Sequence, residues 1–510
     1  MLRPELYGRG VKRVRMLQTH TSWVFLDGRR AYKVKKPVNF GFLDYTTLSA
    51  RRFFCHEEFR LNQLLSPDIY LSVEPIIESR GRLRIGGRGN VIDYALKMVE
   101  LPQQSIMTEQ LKRAGVTFQH IEEIAGIIVR FHDHAERGRE VARYGSSEIV
   151  KLNWDENFAQ TMEFRGRTVT YPSFDRIKER VERFVRENRR RFSRRRECGY
   201  VRKCHGDLHS KNIFIGDPVH VFDCIEFNPR FSCSDTASEV AFMAMDLEYH
   251  GRKDLSNFFV ERYIAHSGDS GLLRLLDFYK CYRAYVRGKV TSFNLNDAGM
   301  SVADKAEARM TARRYFRLSD RYAEKLAVPA RLVVMFGLPG SGKSYLGQRL
   351  AERLDALHLM TDSIRKQLLG LPVGGRAFEG YTRDIYAPAV SKRTYRELLR
   401  RGRSYLKAGQ TVILDGTFLY EDSRDEVRSL AKRVGAPVLF VHTHCPEKTI
   451  TGRMRRRRSE LSLSDADVEV YRDMKRRFTM PRTGKDLVRV DSRQPVNRSL
   501  VRIERALLRL

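Results

Sequence analysis

The stretch Gly337-Leu338-Pro339-Gly340-Ser341-Gly342-Lys343-Ser344 constrains the fold more than any other part of this chain. It has the form G-x-x-x-x-G-K-[ST] and comes directly after the apolar run Leu332-Val333-Val334-Met335-Phe336. A strand therefore delivers the loop. Its glycines let backbone N–H groups curl around phosphate oxygens, and the helix expected over 345–354 points its positive end at them. Gly337, Gly340, Ser341 and Gly342 make the expected cradle for ATP or GTP, Lys343 reaches the β- and γ-phosphates, and Ser344 holds Mg²⁺.

Nucleotide binding alone does not separate a kinase from a motor or a switch, so the next strand ends matter. One reads Leu359-Met360-Thr361-Asp362-Ser363-Ile364-Arg365, and in a doubly wound sheet the carboxyl ends of neighbouring strands converge on one crevice. Asp362 there can take a proton from an acceptor hydroxyl, and Arg365, one helical turn on, can hold an anionic group of the acceptor. The blander alternative makes Asp362 a cap of the helix starting at Ser363. A strand over 411–414 ends in Asp415-Gly416-Thr417, where Asp415 can sit near Mg²⁺; Asp-Gly is also an ordinary turn. The helical stretch 449–458 carries five arginines, with Arg453 and Arg457 on one face, and phosphoryl transfer benefits from positive charge closing over it.

Over about 331–490 these residues together resemble the small P-loop kinases: gluconate-kinase-like, polynucleotide 5'-hydroxyl kinase and zeta-toxin-like domains. The resemblance implies that Asp362 is the general base, Arg365 binds the acceptor and Arg457, with Arg453 beneath it, is a lid arginine; Arg455, Arg456 and Arg458 are a register slip away. The stretch from Ser464-Asp465-Ala466 to Phe478 resembles the segment after the lid in that group.

A second motif lies far upstream. His205-Gly206-Asp207-Leu208-His209-Ser210-Lys211-Asn212 has the spacing of a catalytic loop in which Asp207 orients the acceptor hydroxyl and Asn212 holds a metal, and Asp223 lies on the next strand as a second metal ligand. H-G-D-x-x-x-x-N resembles the aminoglycoside phosphotransferase branch of the protein-kinase fold. By that resemblance Ala31-Tyr32-Lys33 is the strand lysine motif, with Lys33 toward the nucleotide phosphates and Lys35 in reserve. Glu58, better placed than Glu57 by the apolar spacing to Leu61 and Leu65, is the partner of Lys33. Phe131-His132 and Asp235-Thr236-Ala237 are structural companions. The chain departs from the wider fold in having Gln18-Thr19-His20-Thr21-Ser22 where a glycine-rich loop would cover the phosphates. The order of the two motifs also resembles a bacterial fusion of an aminoglycoside-phosphotransferase-like domain with an AAA-type P-loop kinase.

Length agrees with two domains, since 510 residues exceed the ~250 to 300 that one core can organise. The expected architecture is multidomain: a bilobal α+β protein-kinase-like domain over 1–328, with an N-lobe to about 100, then an α/β P-loop domain with a mostly parallel sheet over 329–510. Short strands are expected over 11–36, a helix over 51–65, and helices over 118–134, 174–194, 238–249, 272–292 and 303–326. The run 189–196 reads as an exposed helix end, and Pro329 marks the domain boundary. Lys and Arg number 94 against 62 Asp and Glu, a net +32 that favours polyanionic partners without choosing among them. The seven cysteines show no disulfide framework or zinc spacing, and no signal or membrane segment is evident, so the expected setting is the reduced cytoplasm. The leading expectation is an ATP- and Mg²⁺-dependent phosphotransferase acting on hydroxyl groups of small molecules. A polynucleotide 5'-hydroxyl kinase, or an ATPase gated by a ligand-sensing kinase-like half, are the alternatives.

Overall fold

The computed structural model describes residues 1–510 except 9, 20, 42, 80, 328–329, 355, 372–386 and 458–467, and describes 455–457 and 468–470 by backbone alone. The chain divides into two compact units, Met1–Ala327 and Val328–Leu510. The expected boundary residue Pro329 lies outside the described residues.

In the first unit, strands β1 (Arg15–Gln18), β2 (Ser22–Leu26), β3 (Arg30–Lys35), β4 (Tyr70–Ser79), β5 (Arg82–Ile85) and β6 (Asn90–Val99) form an antiparallel sheet in the order β1-β2-β3-β6-β4-β5. The turn between β2 and β3 arises from Asp27-Gly28. The Asp27 carboxylate accepts from the N–H groups of Arg29 and Arg30 at 2.8 and 2.6 Å, a local bond that fixes the reversal. The two-residue period of β3 then puts Lys33 and Lys35 on one face, toward the helix Leu48–Gln63, whose first turn is capped by Thr47.

Beyond β6 the unit is mainly helical. Phe118–His134 opens with a reciprocal cap between Thr117 and His120 and buries Ile121, Ile124, Ile128 and Phe131 along one stripe. Thr236–Tyr249 is buried over most of its length and packs against Leu273–Phe293, which in turn pairs with Val302–Lys325. Two small antiparallel pairs interrupt the helices: β7 (Val201–Lys203) with β10 (Cys233–Asp235), and β8 (Ile213–Phe214) with β9 (His220–Val221).

Two sequence expectations need correction here. The single helix expected over 174–194 is two, Tyr171–Glu187 and Arg189–Glu197, because the Asn188 side chain donates to Phe184 O at 2.8 Å and ends the first. The arginine run is not wholly an exposed helix end. Arg195 is buried and grips both oxygens of Asp235, at 2.6 and 2.8 Å, and both of Asp269, at 2.9 and 2.7 Å. Two carboxylates on one guanidinium offset the cost of burying its charge.

The second unit holds a parallel sheet of β11 (Leu332–Phe336), β12 (Leu357–Met360), β13 (Val412–Asp415), β14 (Val438–His444) and β15 (Leu487–Asp491), in the order β12-β13-β11-β14-β15. The apolar run of β11 is explained by burial on both faces. Leu332, Val334 and Phe336 meet Leu398, Val427 and Leu430 on one side, while Val333 and Met335 meet Leu346, Leu350 and Ile503 on the other. Among the described residues no helix is long and apolar enough to cross a membrane.

Candidate active sites

In the second unit β11 runs straight into the glycine-rich loop. Gly337 takes φ of 143°, and a Cβ there would lie 2.4 Å from Thr443 O, so a side chain would push the loop off β14. Ser341 Oγ lies 2.9 Å from Thr443 Oγ1, tying the far side of the loop to the same strand. The helix Lys343–Leu354 then begins inside the motif, as an anion-binding helix start requires.

The sheet register brings the acidic strand end beside this loop. β13 pairs with β11 so that Asp415 faces Met335, and with β12 so that Asp415 faces Met360. The Asp415 side chain is buried and lies 3.1 Å from His358 Nε2. Burial opposes its charge, but the hydrogen bond from His358, the Lys343 ammonium and the Ser344 hydroxyl hold its carboxyl below the usual range. Ser344 and Asp415 are thus hard oxygen donors side by side, a set suited to Mg²⁺. Tyr395 Oη, 3.1 Å from Thr417 Oγ1 and accepting from Phe418 N at 3.0 Å, braces the turn after Asp415.

Asp362 sits in the first turn of the helix Thr361–Leu368, just past β12, and no side chain caps that helix start. It is not a helix cap. Its carboxylate accepts from Arg365 Nη1 at 2.6 Å, so acid and arginine form one unit at the strand end. In the helix Glu447–Arg457, Arg453 reaches back to the loop, donating to Ser492 Oγ at 2.8 Å and Ser492 O at 3.1 Å, with Gly340 O at 3.4 Å. Arg453, Gly342, Tyr345, Ser492 and Gln494 border a cavity of about 300 Å³ beside the phosphate loop. The side chain of Arg457, those of Arg455, Arg456 and Arg458, and residues 464–467 lie outside the described residues.

In the first unit, chain segments far apart in sequence converge. Lys33 Nζ donates to Glu58 Oε1 at 2.7 Å and to Asp223 Oδ1 at 2.6 Å. Glu57 is elsewhere, paired with Arg60 and Lys203. Lys35 does not compete for the site: it donates to Glu58 Oε2 at 2.7 Å, contacts Glu226, and lies 3.3 Å from Tyr45 Oη, deep beneath it. Burial alone would raise the Glu58 carboxyl, yet the two ammonium groups hold it below the usual range. Glu226 is raised, first by burial, although Lys35 pulls against it.

Asp223 adopts φ of 68°, unusual for a residue with a side chain, and Tyr70 Oη accepts from its N–H at 3.0 Å. Its side chain is about half exposed (45%), open to a ligand. The β8–β9 pairing, Ile213 to Val221, sets Asn212 across from Phe222, and Phe222 N donates to Asn212 O at 3.0 Å. Asn212 Nδ2 donates to Asp207 O at 2.9 Å and Asp207 Oδ2 at 3.2 Å, so its Oδ1 is the atom that could hold a metal. Asn212 Oδ1 and the Asp223 carboxylate again make an oxygen set fit for Mg²⁺.

The loop bearing Asp207 is held from behind. Gly206 has φ of 86°, and a Cβ there would meet Phe231 O at 2.9 Å. Glu239 accepts from His205 N at 2.9 Å, Gly206 N at 2.7 Å and His132 Nε2 at 2.8 Å. His132, Cys204 and Glu239 bring potential metal-ligand atoms within 4.8 Å of one another, but those hydrogen bonds occupy Glu239 as an anchor of the loop. Burial works against the Asp207 charge, whereas His209, Arg287 and His205 hold its carboxyl well below the usual range. His209 Nε2 is 3.2 Å from Asp207 Oδ2 and 3.3 Å from Arg287 Nη1.

Glu226, Tyr45, Arg287 and His358 had no part in the sequence motifs, and His209 stood in one without a role. Glu226 had a faint signal in being three residues after Asp223 and His209 in standing two after Asp207, but Tyr45, Arg287 and His358 meet their partners only through the fold. In the polar turn before β2, Thr19 N donates to Ser22 O at 2.9 Å and Lys36 Nζ to Thr19 O at 2.5 Å; His20 lies outside the described residues.

Residues 332–481 match a family described as an AAA domain. The uncharacterized protein Rv2004c of Mycobacterium tuberculosis (strain ATCC 25618 / H37Rv) is 32% identical over 421 residues, 82% of this chain and 80% of that protein. The uncharacterized protein Mb2027c of Mycobacterium bovis (strain ATCC BAA-935 / AF2122/97) matches with the same figures. Among solved structures, a gluconokinase from Sinorhizobium meliloti 1021 is 23% identical, covering 36% of this chain and 93% of that one, with a TM-score of 0.26. The Mycobacterium tuberculosis APS kinase in complex with AMPPNP and APS is 17% identical, covering 35% and 98%, with a TM-score of 0.26.

Proposed function

The chain belongs to the family of the mycobacterial proteins Rv2004c and Mb2027c, and from that premise we propose that it is an ATP-dependent phosphotransferase with two kinase-type sites acting on small-molecule hydroxyl groups. A match of 421 residues is longer than either unit, Met1–Ala327 or Val328–Leu510, so the likeness runs through parts of both.

One observation carries the reading of the second unit. The buried Asp415 lies beneath Lys343 and Ser344, and the Asp362–Arg365 pair stands at the neighbouring strand end. Phosphate cradle, metal donors and an acceptor-side carboxylate thereby share one edge of a parallel sheet, where such sheets bind ligands. Bound Mg²⁺ would neutralise charge developing on the phosphates. Asp362 would orient the acceptor hydroxyl, with Arg365 holding Asp362 in place and offering positive charge to the acceptor.

The first unit supports the protein-kinase-like reading of the aminoglycoside phosphotransferase branch through its own set: Lys33 between Glu58 and Asp223, and Asn212 against Asp207. In each unit the bond from the γ-phosphorus to the bridging oxygen of ADP breaks as a bond to the acceptor oxygen forms. The hydroxyl proton passes to Asp207 or Asp362.

The test is ATP consumption by the full chain and by Lys343→Ala against sugars, aminoglycosides, nucleosides and 5'-hydroxyl oligonucleotides. Acceptor-dependent ADP formation that Lys343→Ala reduces supports the assignment. ATP binding indifferent to Lys343→Ala and to Lys33→Ala would refute it, and turnover with oligonucleotides alone would move the second unit to the polynucleotide class.

A further inference from the structure

The segment that carries Asp223 is pinned from two sides. Toward the Asp207 loop, His205 Nε2 lies 2.8 Å from Phe222 O, and Ile225 N donates to His205 O at 2.9 Å. Toward the antiparallel sheet and the helix Leu48–Gln63, Tyr70 Oη accepts from Asp223 N and Asn62 Oδ1 from Cys224 N, each at 3.0 Å. All of these bonds hold backbone. The charged tie is made by Glu226, whose side chain is only 6% exposed, meets Lys35 of β3, and accepts from Tyr45 Oη at 2.6 Å. Tyr45 is itself fixed: its N–H donates to Val38 O at 2.9 Å, and Arg51 Nη1 donates to its carbonyl at 3.1 Å.

The tie matters because Glu58 is shared. Its Oε1 meets Lys33 and its Oε2 meets Lys35, each at 2.7 Å, so two lysines on one face of β3 draw on the same buried carboxylate. Glu226 gives Lys35 a carboxylate of its own. Without that charge Lys35 would be held by Glu58 alone, and the end of the segment would lose its charged hold on β3. Asp223, strained at φ of 68°, is the residue that such a loosening would relax. The charges of the cluster point the same way. Lys33 and Lys35 face Glu58, Glu226 and Asp223, and the unbalanced negative charge falls at Asp223, which is 45% exposed where the other two carboxylates are buried. A divalent cation there would restore the balance.

We propose that Glu226 is a positioning residue of the first unit: held by Lys35 and Tyr45, it fixes the segment that aims the Asp223 carboxylate at the metal of a bound nucleotide. The inference rests on the reading of this unit as a kinase-type nucleotide site. Glu226 touches neither metal nor phosphate in this arrangement and acts only through Lys35 and the backbone between it and Asp223. Lys35 thereby has a task distinct from that of Lys33, since it joins β3 to the metal-bearing segment while Lys33 is left for the phosphates.

The experiment titrates a fluorescent, non-hydrolysable ATP analogue into the full chain carrying Lys343→Ala, so that the first unit reports, once across a range of Mg²⁺ concentrations and once with a chelator. Glu226→Gln keeps the shape of the side chain and leaves Lys35 paired with Glu58, so the variant should unfold in urea much as its parent does. It should raise the Mg²⁺ concentration needed for half-maximal binding roughly 10- to 100-fold, as loss of a group that orients a metal ligand does, and leave the affinity in chelator nearly unchanged. That split separates positioning from a structural role, which would weaken binding alike with and without Mg²⁺. An unchanged Mg²⁺ requirement, or equal losses in the two conditions, would overturn the inference and leave the nucleotide site standing. If Glu226→Gln does not fold, Lys35→Met combined with Glu226→Met removes both charges of the pair together and is judged by the same two titrations. A parent whose first unit binds no analogue, or binds it indifferently to Mg²⁺, would take the inference down together with the reading beneath it.

Discussion

Asp207 and Asp362 are assigned the same task in different surroundings, and single-atom changes at each test that task. Asp→Asn keeps size and removes the proton acceptor, so transfer in the affected unit should fall by roughly 10² to 10⁴ while nucleotide binding persists, as measured by ADP formation beside a fluorescent-nucleotide titration. Asp362→Asn also removes the charge that Arg365 now meets at 2.6 Å, while leaving an amide oxygen to accept from it. Full transfer by Asp362→Asn would reduce Asp362 to an anchor for that arginine. A different residue tests the phosphate loop itself. Gly337→Ala would place a methyl 2.4 Å from Thr443 O at a φ of 143°, and strain of about 1–3 kcal/mol should lower ATP affinity in the second unit tenfold or more. Unchanged affinity would show that the loop reshapes at little cost.

At the scale of elements, the strands and helices that bear local signals were legible in the sequence, and so were the motif residues they carry. The Asp27-Gly28 turn, the apolar run of β11 and the loop after it are short-range patterns whose physics acts between neighbours. Lys35 meeting Glu226 across 191 positions, or Arg287 meeting His209 across 78, has no such local sign. Nor does a row of arginines reveal that Arg195 alone among its neighbours turns inward to two aspartates. Strand β14 shows the same blindness and yields a prediction. His442 lies between the rings of Phe336 and Phe478, at 5.0 and 5.5 Å, with Nδ1 buried and no hydrogen-bond partner among the described residues. Burial first, then His444, Arg489 and Arg424, push its pKa down to about 4. The unfolded chain takes up this proton near ~6.5, so the contribution is complete above that pH and is lost as pH falls toward 4. The full loss amounts to about 3 kcal/mol. His442→Phe keeps the ring stack without the titrating group. In urea unfolding at pH 7.5 and pH 5, the variant should lose less stability than the parent on acidification; equal losses would show that other groups set the acid limit.

At the scale of the whole chain, the decisive quantity is the number of nucleotides bound. In the proposed reading each unit has a lysine to meet phosphates and its own oxygen donors for Mg²⁺, Lys33 with Asn212 and Asp223 in one, Lys343 with Ser344 and Asp415 in the other. Titration of the intact chain with a non-hydrolysable Mg²⁺-ATP analogue should therefore reach two equivalents. Lys343→Ala should leave one, because the remaining lysine and its ligands belong to a separately packed unit. Lys33→Ala should leave the other, and the fold should tolerate it, since Glu58 keeps Lys35 at 2.7 Å and is not stranded as an unpaired buried charge. The double variant should bind none. A parent that saturates at one equivalent, lost entirely on Lys343→Ala, would make the first unit a domain that retains the catalytic residues without using ATP. Its interlocked Lys33, Glu58 and Asp223 would then be a structural latch.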